Sequence, residues 1–159
     1  MRKVKSRDFD FDLYTLLRRV NDAMVHARNR ELSQYGINVR QASALYMIKA
    51  LGMKATPAEI ARWQYRKPHT VSHLLQKMED DGLITKRKDL TSRNQVRAVL
   101  TEKGAAAYRD TLRRKAIHKI LSALTQKESA TLVTLLEKLG EAASREAGSP
   151  GESDSPRPE

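Results

Sequence analysis

The segment Thr56-Pro-Ala-Glu-Ile-Ala-Arg-Trp-Gln-Tyr-Arg-Lys-Pro-His-Thr-Val-Ser-His-Leu-Leu-Gln-Lys-Met-Glu-Asp-Asp-Gly-Leu83 encodes two short helices joined by a tight turn. Thr56, with Pro57 at the first helical position and Glu59 at the third, spells a capping box: the hydroxyl takes one orphan amide and the carboxylate reaches back to another. The second helix has Pro68 near its start and stops at Gly82, a residue free to turn left-handed.

Val71, Leu74, Leu75 and Met78 of the second helix fall at i, i+3, i+4 and i+7, one apolar stripe. The other face carries His69, Thr70, Ser72, His73, Gln76 and Lys77, with no carboxylate among them. Glu79, Asp80 and Asp81 come only in the last turn, where acid opposes the helix dipole and gains nothing for helix stability. Such a helix suits insertion tip-first between phosphate walls, as a recognition helix docks in the major groove; a solvated face of an ordinary amphipathic helix is the alternative. The adjoining segment favours the groove-binding helix. Leu83 to Arg87 reads as a strand, Lys88 to Asn94 as a polar loop and Gln95 to Leu100 as a returning strand with Val96, Ala98 and Leu100 on one face. A basic hairpin directly after a helix-turn-helix is a wing, and its tip holds Lys88 and Arg93, able to reach a phosphate or a narrow minor groove.

These features resemble the MarR family of winged helix-turn-helix transcription regulators. The residues carrying the resemblance are Glu59-Ile60-Ala61, Thr70-Val71-Ser72, Leu74 to Ile84, Arg93, and Leu100-Thr101-Glu102-Lys103-Gly104, within a span of roughly residues 10 to 140. Three positions depart from the family pattern: Tyr65 where a turn glycine is common, Lys67 where a capping serine is common, and Ser92 where an aspartate precedes the wing arginine. The resemblance implies a mainly α fold with a small β-hairpin wing and a homodimer held by helices from both chain ends. It also implies a possible small-molecule effector, its identity unknown. Trp63, Tyr46, Tyr65 and Tyr108, with charge from His26, Arg28 and Arg30, could line its pocket. Aromatics in such positions are more often plain core, and no ligand site is assigned.

At 159 residues the chain is long enough for one domain with a real core and too short for two. Lys plus Arg number 30 against 19 Asp plus Glu, a net of +11, and the pI is about 10.1. From Glu141 onward there are five acids and two bases, so the first 140 residues hold 28 bases against 14 acids, a net of +14. A body that basic calls for a polyanion, and nucleic acid is the first candidate, which the winged helix-turn-helix reading makes double-stranded DNA. No apolar run approaches the ~20 residues of a membrane span. The Met1-Arg-Lys-Val-Lys start leads into Arg-Asp-Phe-Asp-Phe-Asp, not an apolar signal region. The absence of cysteine fits a reducing cytoplasm and excludes thiol-based redox sensing.

Taken in order, residues 1–9 read as a flexible basic N-terminus and 10–147 as a single domain. Its winged lobe spans about 38–104, and its dimerisation helices about 10–35 and 101–146. The first helix starts near Asp10 or Asp12, carries Leu13, Leu16, Leu17, Val20 and Met24, and ends near Tyr35-Gly36. The next starts at Asn38, capped with Gln41 three residues on, and runs to Gly52. Lys54-Ala55 is a candidate third strand of the wing. Thr101 opens a long helix expected to continue to about Ala123. Thr125-Gln-Lys-Glu128 is a second capping box, starting a last helix with Leu132, Leu135, Leu136 and Leu139. Residues 148–159 read as a disordered tail by composition. The terminal helices carry apolar stripes longer than a winged lobe can cover, which could bury one another within a chain or against a second copy.

The DNA-contact candidates fall into two groups. Pro68, His69, Thr70, Ser72, His73, Gln76 and Lys77 lie on the second helix, where Gln76 can bond adenine in a bidentate manner. Arg66 and Lys67 in the turn, with Lys86, Arg87, Lys88, Arg93 and Arg97 in the wing, are phosphate neutralisers. His69 and His73 stand at i, i+4, but without a glutamate in the HExxH manner and without a third ligand nearby in sequence, so no metal or other cofactor is assigned. Catalysis has no motif to rest on: there is no GxSxG elbow, no phosphate-cradling glycine loop and no cysteine nucleophile. The sequence therefore reads as a cytoplasmic homodimeric regulator, more a repressor than an activator, on a pseudo-palindromic operator. The alternatives are a sequence-tolerant architectural DNA-binding protein, or a helical interaction protein with an acidic partner or a membrane surface.

Overall fold

The computed structural model describes residues 8–88 and 96–147. Its elements run α1 (Phe9–Ser33), α2 (Val39–Leu51), α3 (Pro57–Trp63), α4 (Pro68–Asp80), β1 (Ile84–Lys88), β2 (Val96–Leu100), α5 (Glu102–Thr111), α6 (Lys115–Leu121) and α7 (Gln126–Ala147). The expected mainly helical fold with a two-stranded wing is what forms. The N-terminal residues 1–7, the wing tip 89–95 with Arg93, and the 148–159 tail lie outside the described residues.

Caps account for most helix starts. Asp8 takes the Phe11 amide at the head of α1. Asn38 and Gln41 close a full capping box on α2, and Thr125 and Glu128 close another on α7, at 2.8 and 3.3 Å. The box expected on α3 is only half made: the Thr56 hydroxyl accepts from the Glu59 amide at 3.2 Å. The Glu59 carboxylate turns to Arg62, and the Thr56 amide goes to the Lys54 carbonyl.

The core gathers where α2, α3, α4 and the wing meet the end of α1. Leu32, Leu45, Ile60, Val71, Leu75, Met78 and Ile84 are fully buried, and each such side chain contributes roughly 1.5–3 kcal/mol. The strands pair antiparallel with Ile84 opposite Leu100, Lys86 opposite Ala98 and Lys88 opposite Val96. The expected third strand at Lys54-Ala55 does not form. Gly52–Lys54 wind into a 3-10 turn, and among the described residues one backbone bond reaches the wing, from the Ala98 amide to the Ala55 carbonyl at 2.9 Å.

Leu83 ties the wing to α5. Its carbonyl accepts from the Thr101 amide at 3.1 Å, and the Thr101 hydroxyl caps Gly104 while donating to the Gly82 carbonyl. Gly104 is packed so tightly here that an added Cβ would lie 1.8 Å from the Leu83 oxygen.

The single long helix expected from Thr101 to about Ala123 is instead two. α5 ends at Thr111, Arg114 adopts φ +48°, and α6 starts anew at Lys115. The cause lies some eighty residues away, on α1. Arg28 donates to the Thr111 carbonyl at the end of α5, and the Glu31 carboxylate accepts from the amides of Lys115 (2.9 Å) and Ala116 (3.0 Å). Arg28 and Glu31 are themselves paired at 2.8 Å, their side chains 11% and 8% exposed. Two residues of α1 thus supply both the end cap of α5 and the start cap of α6. Burial by itself would raise the Glu31 carboxyl. The Ala116 amide, the Arg28 guanidinium and the Lys115 amide together outweigh it and hold the carboxyl below its ordinary value.

The apolar stripes of the terminal helices are left uncovered. Leu13, Leu16, Leu17 and Val20 on α1 and Leu132, Leu135, Leu136 and Leu139 on α7 are all exposed in the single chain. No described helix is long and apolar enough to cross a membrane.

Gly104→Ala is expected to destabilise the fold by about 3 kcal/mol, since backbone rather than a flexible side chain must give way; denaturant unfolding measures it. Glu31→Gln should cost roughly 1–3 kcal/mol at neutral pH. Because the folded carboxyl sits below its ordinary value of 4.5, its contribution is complete above that pH and fades as pH falls through the folded value. The gap between wild type and Glu31→Gln should therefore narrow on acidification.

Candidate nucleic-acid interface

The geometry of the interface starts with how α4 is held. Pro68 presets its first turn, but Lys67 at the cap position makes no side-chain cap bond. Val71, Leu75 and Met78 are buried and Leu74 partly so, which turns the opposite face outward. Pro68, His69, Thr70, Ser72, His73, Gln76 and Lys77 are all exposed, as are Arg66, Lys67, Arg87 and Lys88.

Beside this face lies a shallow hollow of about 370 Å³ lined by Arg40, Arg66, His69, Thr70, His73 and Lys77, with Val71 and Leu74 at its floor. Three permanent cations and two imidazoles meet there without a carboxylate, a local field that draws polyanions. Arg40 is the residue that sequence reasoning missed. It belongs to the first turn of α2, and only the packing of α2 against α4 brings it to this face; its signal in the sequence is merely a base one residue before Gln41 of a capping box.

Two of the expected phosphate neutralisers are engaged internally. Lys86 Nζ lies 3.0 Å from Glu79, its amide donates to the same carboxylate at 3.0 Å, and its ammonium also reaches Gln76 Oε1. The Lys86 side chain, followed by its amide, holds the Glu79 carboxyl below the ordinary value. Arg97 turns its guanidinium to the Met53 thioether and lines a separate hollow with Lys49, Val99, Tyr108 and Arg109. Neither is a freely solvated cation of the kind the charge pattern suggests.

The turn between α3 and α4 is held unusually. Tyr65 sits at φ +51°, the left-handed region glycine favours, at a cost of roughly 1–2 kcal/mol for a side chain with a Cβ. Its phenol oxygen lies 2.8 Å from Ser144 Oγ, the one buried side chain among the described residues of α7. The helix-turn-helix is thereby tied to the helix that carries the exposed leucines. Trp63 and Tyr46 pack against the core, Tyr108 is nearly buried, and Arg28 is committed to Glu31 and Thr111. Among the described residues no three His, Cys, Asp or Glu side chains stand so as to hold a metal ion.

This arrangement has known counterparts. A family model described as MarR family matches residues 35–93, from just before α2 into the wing. An HTH-type transcriptional repressor of Mycobacterium tuberculosis (strain ATCC 25618 / H37Rv) is 28% identical over 134 residues, which is 82% of this chain and 95% of the relative. Among solved structures, the organohalide sensing RdhR-CbdbA1625 transcriptional regulator in its 2,4-dichlorophenol bound form superposes with a TM-score of 0.77 at 28% identity, covering 87% of this chain and 83% of that one. The S. aureus MepR–DNA complex superposes with a TM-score of 0.72 at 22% identity, over 84% of this chain and 97% of that one, a likeness of fold. A matched family model over the winged lobe, repressor relatives over most of the chain and the same winged architecture make the chain similar to the MarR family.

Proposed function

We propose that this protein is a transcription regulator, a repressor that binds a pseudo-palindromic DNA operator as a homodimer and acts by occupying promoter DNA. The observation that carries the reading is the outward face of α4: donors, acceptors and cations from Pro68 to Lys77, flanked by Arg40, Arg66 and Lys67, with no acid before Glu79. Base reading falls to His69, Thr70, Ser72, His73 and Gln76, and phosphate contact to Arg40, Arg66, Lys67, Lys77, Arg87, Lys88 and Arg93, the last outside the described residues. Lys86 and Arg97 serve the wing from within. Two recognition helices about one DNA turn apart match a two-fold site, and the exposed leucines of α1 and α7 suit a second copy. The relatives named as repressors support the sign of regulation. The dichlorophenol-bound relative supports control by a small organic effector that alters the spacing of the two lobes. The protein works in the cytoplasm and by binding alone, without catalysis.

Titration of salt against a selected operator and a scrambled duplex tests this. Both should show a steep log–log dependence, with a preference of about 10³-fold or more for the operator at physiological salt. Equal binding to both would favour a DNA-coating protein, and no binding at low salt would favour an acidic protein partner. Arg40→Ala should lower the salt slope by ~0.9, one phosphate's share, and weaken all sequences alike. Lys67→Ser separates folding from function: it supplies the missing cap and should raise stability by about 1 kcal/mol while weakening DNA binding through the lost cation.

A further inference from the structure

The three acids that end α4 do not help the helix dipole, and the structure gives each a partner. Glu79 holds Lys86, Asp81 accepts from Gln41 Nε2 at 3.2 Å, and Asp80 accepts from Gln76 Nε2 at 3.0 Å. Gln76 is gripped at its other end as well, its Oε1 accepting from Lys86 Nζ. A carboxylate only accepts and an ammonium only donates, so these partners leave the amide a single orientation. Asp80 takes the nitrogen end and Lys86 the oxygen end. Among the described residues, one N–H and one carbonyl lone pair remain unused on this exposed side chain.

From this we infer that Asp80 and Lys86 are positioning residues that fix Gln76 as a reader of adenine. The inference rests on the DNA-reading role of α4 proposed above. In the major groove adenine offers an acceptor at N7 beside a donor at N6, which the two free positions of the amide match. Guanine offers acceptors at both places and would set oxygen against oxygen. A free glutamine can rotate its amide to suit either; this one cannot do so without breaking two bonds. The rotamer freedom lost in a base contact is already lost on folding. Asp80, an acid close to DNA phosphates, weakens overall attraction and sharpens discrimination.

The test measures binding of full-length wild type, Asp80→Ala, Lys86→Met and Gln76→Ala to an operator selected from random DNA. Each half-site position is replaced in turn by all four base pairs at fixed salt. Wild type should prefer adenine at one position, and Gln76→Ala should lose that preference alone. Asp80→Ala and Lys86→Met should each reduce the ratio at that position by about threefold or more, leave the other positions unchanged, and add nothing in the Gln76→Ala background. Asp80→Ala should do so while binding all duplexes more tightly, a split that a folding defect does not produce. If both variants keep the ratio while Gln76→Ala loses it, the positioning roles are wrong and the DNA reading stands. If Gln76→Ala keeps every preference, glutamine reads no base and the inference fails with it. Wild type that binds no duplex overturns the proposed function itself.

Discussion

Burial of Val71, Leu75 and Met78 fixes the rotation of α4 about its own axis, and the rest of the molecule depends on that constraint. Half a turn of the helix would expose three core side chains and push two histidines and a lysine into an apolar interior. At roughly 1.5–3 kcal/mol for each apolar side chain alone, that exceeds a large part of what a small domain has in hand. The polar edge of α4 faces outward because its other edge has nowhere else to go. No acid interrupts that edge until its last turn, so the same rotation that satisfies the core also presents a surface fitted to a polyanion.

The wing and the terminal helices are registered to this helix by a few joints. Leu83 and Gly104 press the end of α4, the wing and α5 together at backbone distance. Arg28 and Glu31 break the C-terminal helices at a set place, beside the contact of α6 with α1. Tyr65, strained at φ +51°, reaches back to Ser144 on α7. Strain of this kind persists only where its surroundings over-determine it. Here it links the turn that presents α4 to the helix whose leucines are exposed. A movement of α7 relative to the lobe would reach α4 by that link.

Much of this was legible from residue types alone. The α4 stripe, the caps at Asn38 and Thr125, the hairpin and the unsatisfied leucines of the terminal helices are local patterns with one good structural solution. What was hidden depends on contacts between distant residues. Nothing near Leu112 signals a helix break, because the groups that cap it belong to Arg28 and Glu31. Lys86 and Arg97 look like surface cations until Glu79 and Met53 are found beside them. Arg40 joins the basic hollow only through the packing of α2 against α4. Glu59 had two plausible partners, and the guanidinium of Arg62 took it from the backbone.

Because the chain has no cysteine, a single thiol reports on one place. The most direct measurement is the rate at which a thiol reagent modifies Ser72→Cys, on the outward edge of α4, with and without a duplex that the protein binds. Ser122→Cys at the end of α6 serves as the control. The account predicts that DNA slows modification at position 72 in proportion to the fraction bound and leaves position 122 unchanged. Unaltered reactivity at 72 on fully bound protein would contradict it, because DNA would then be held by some other face.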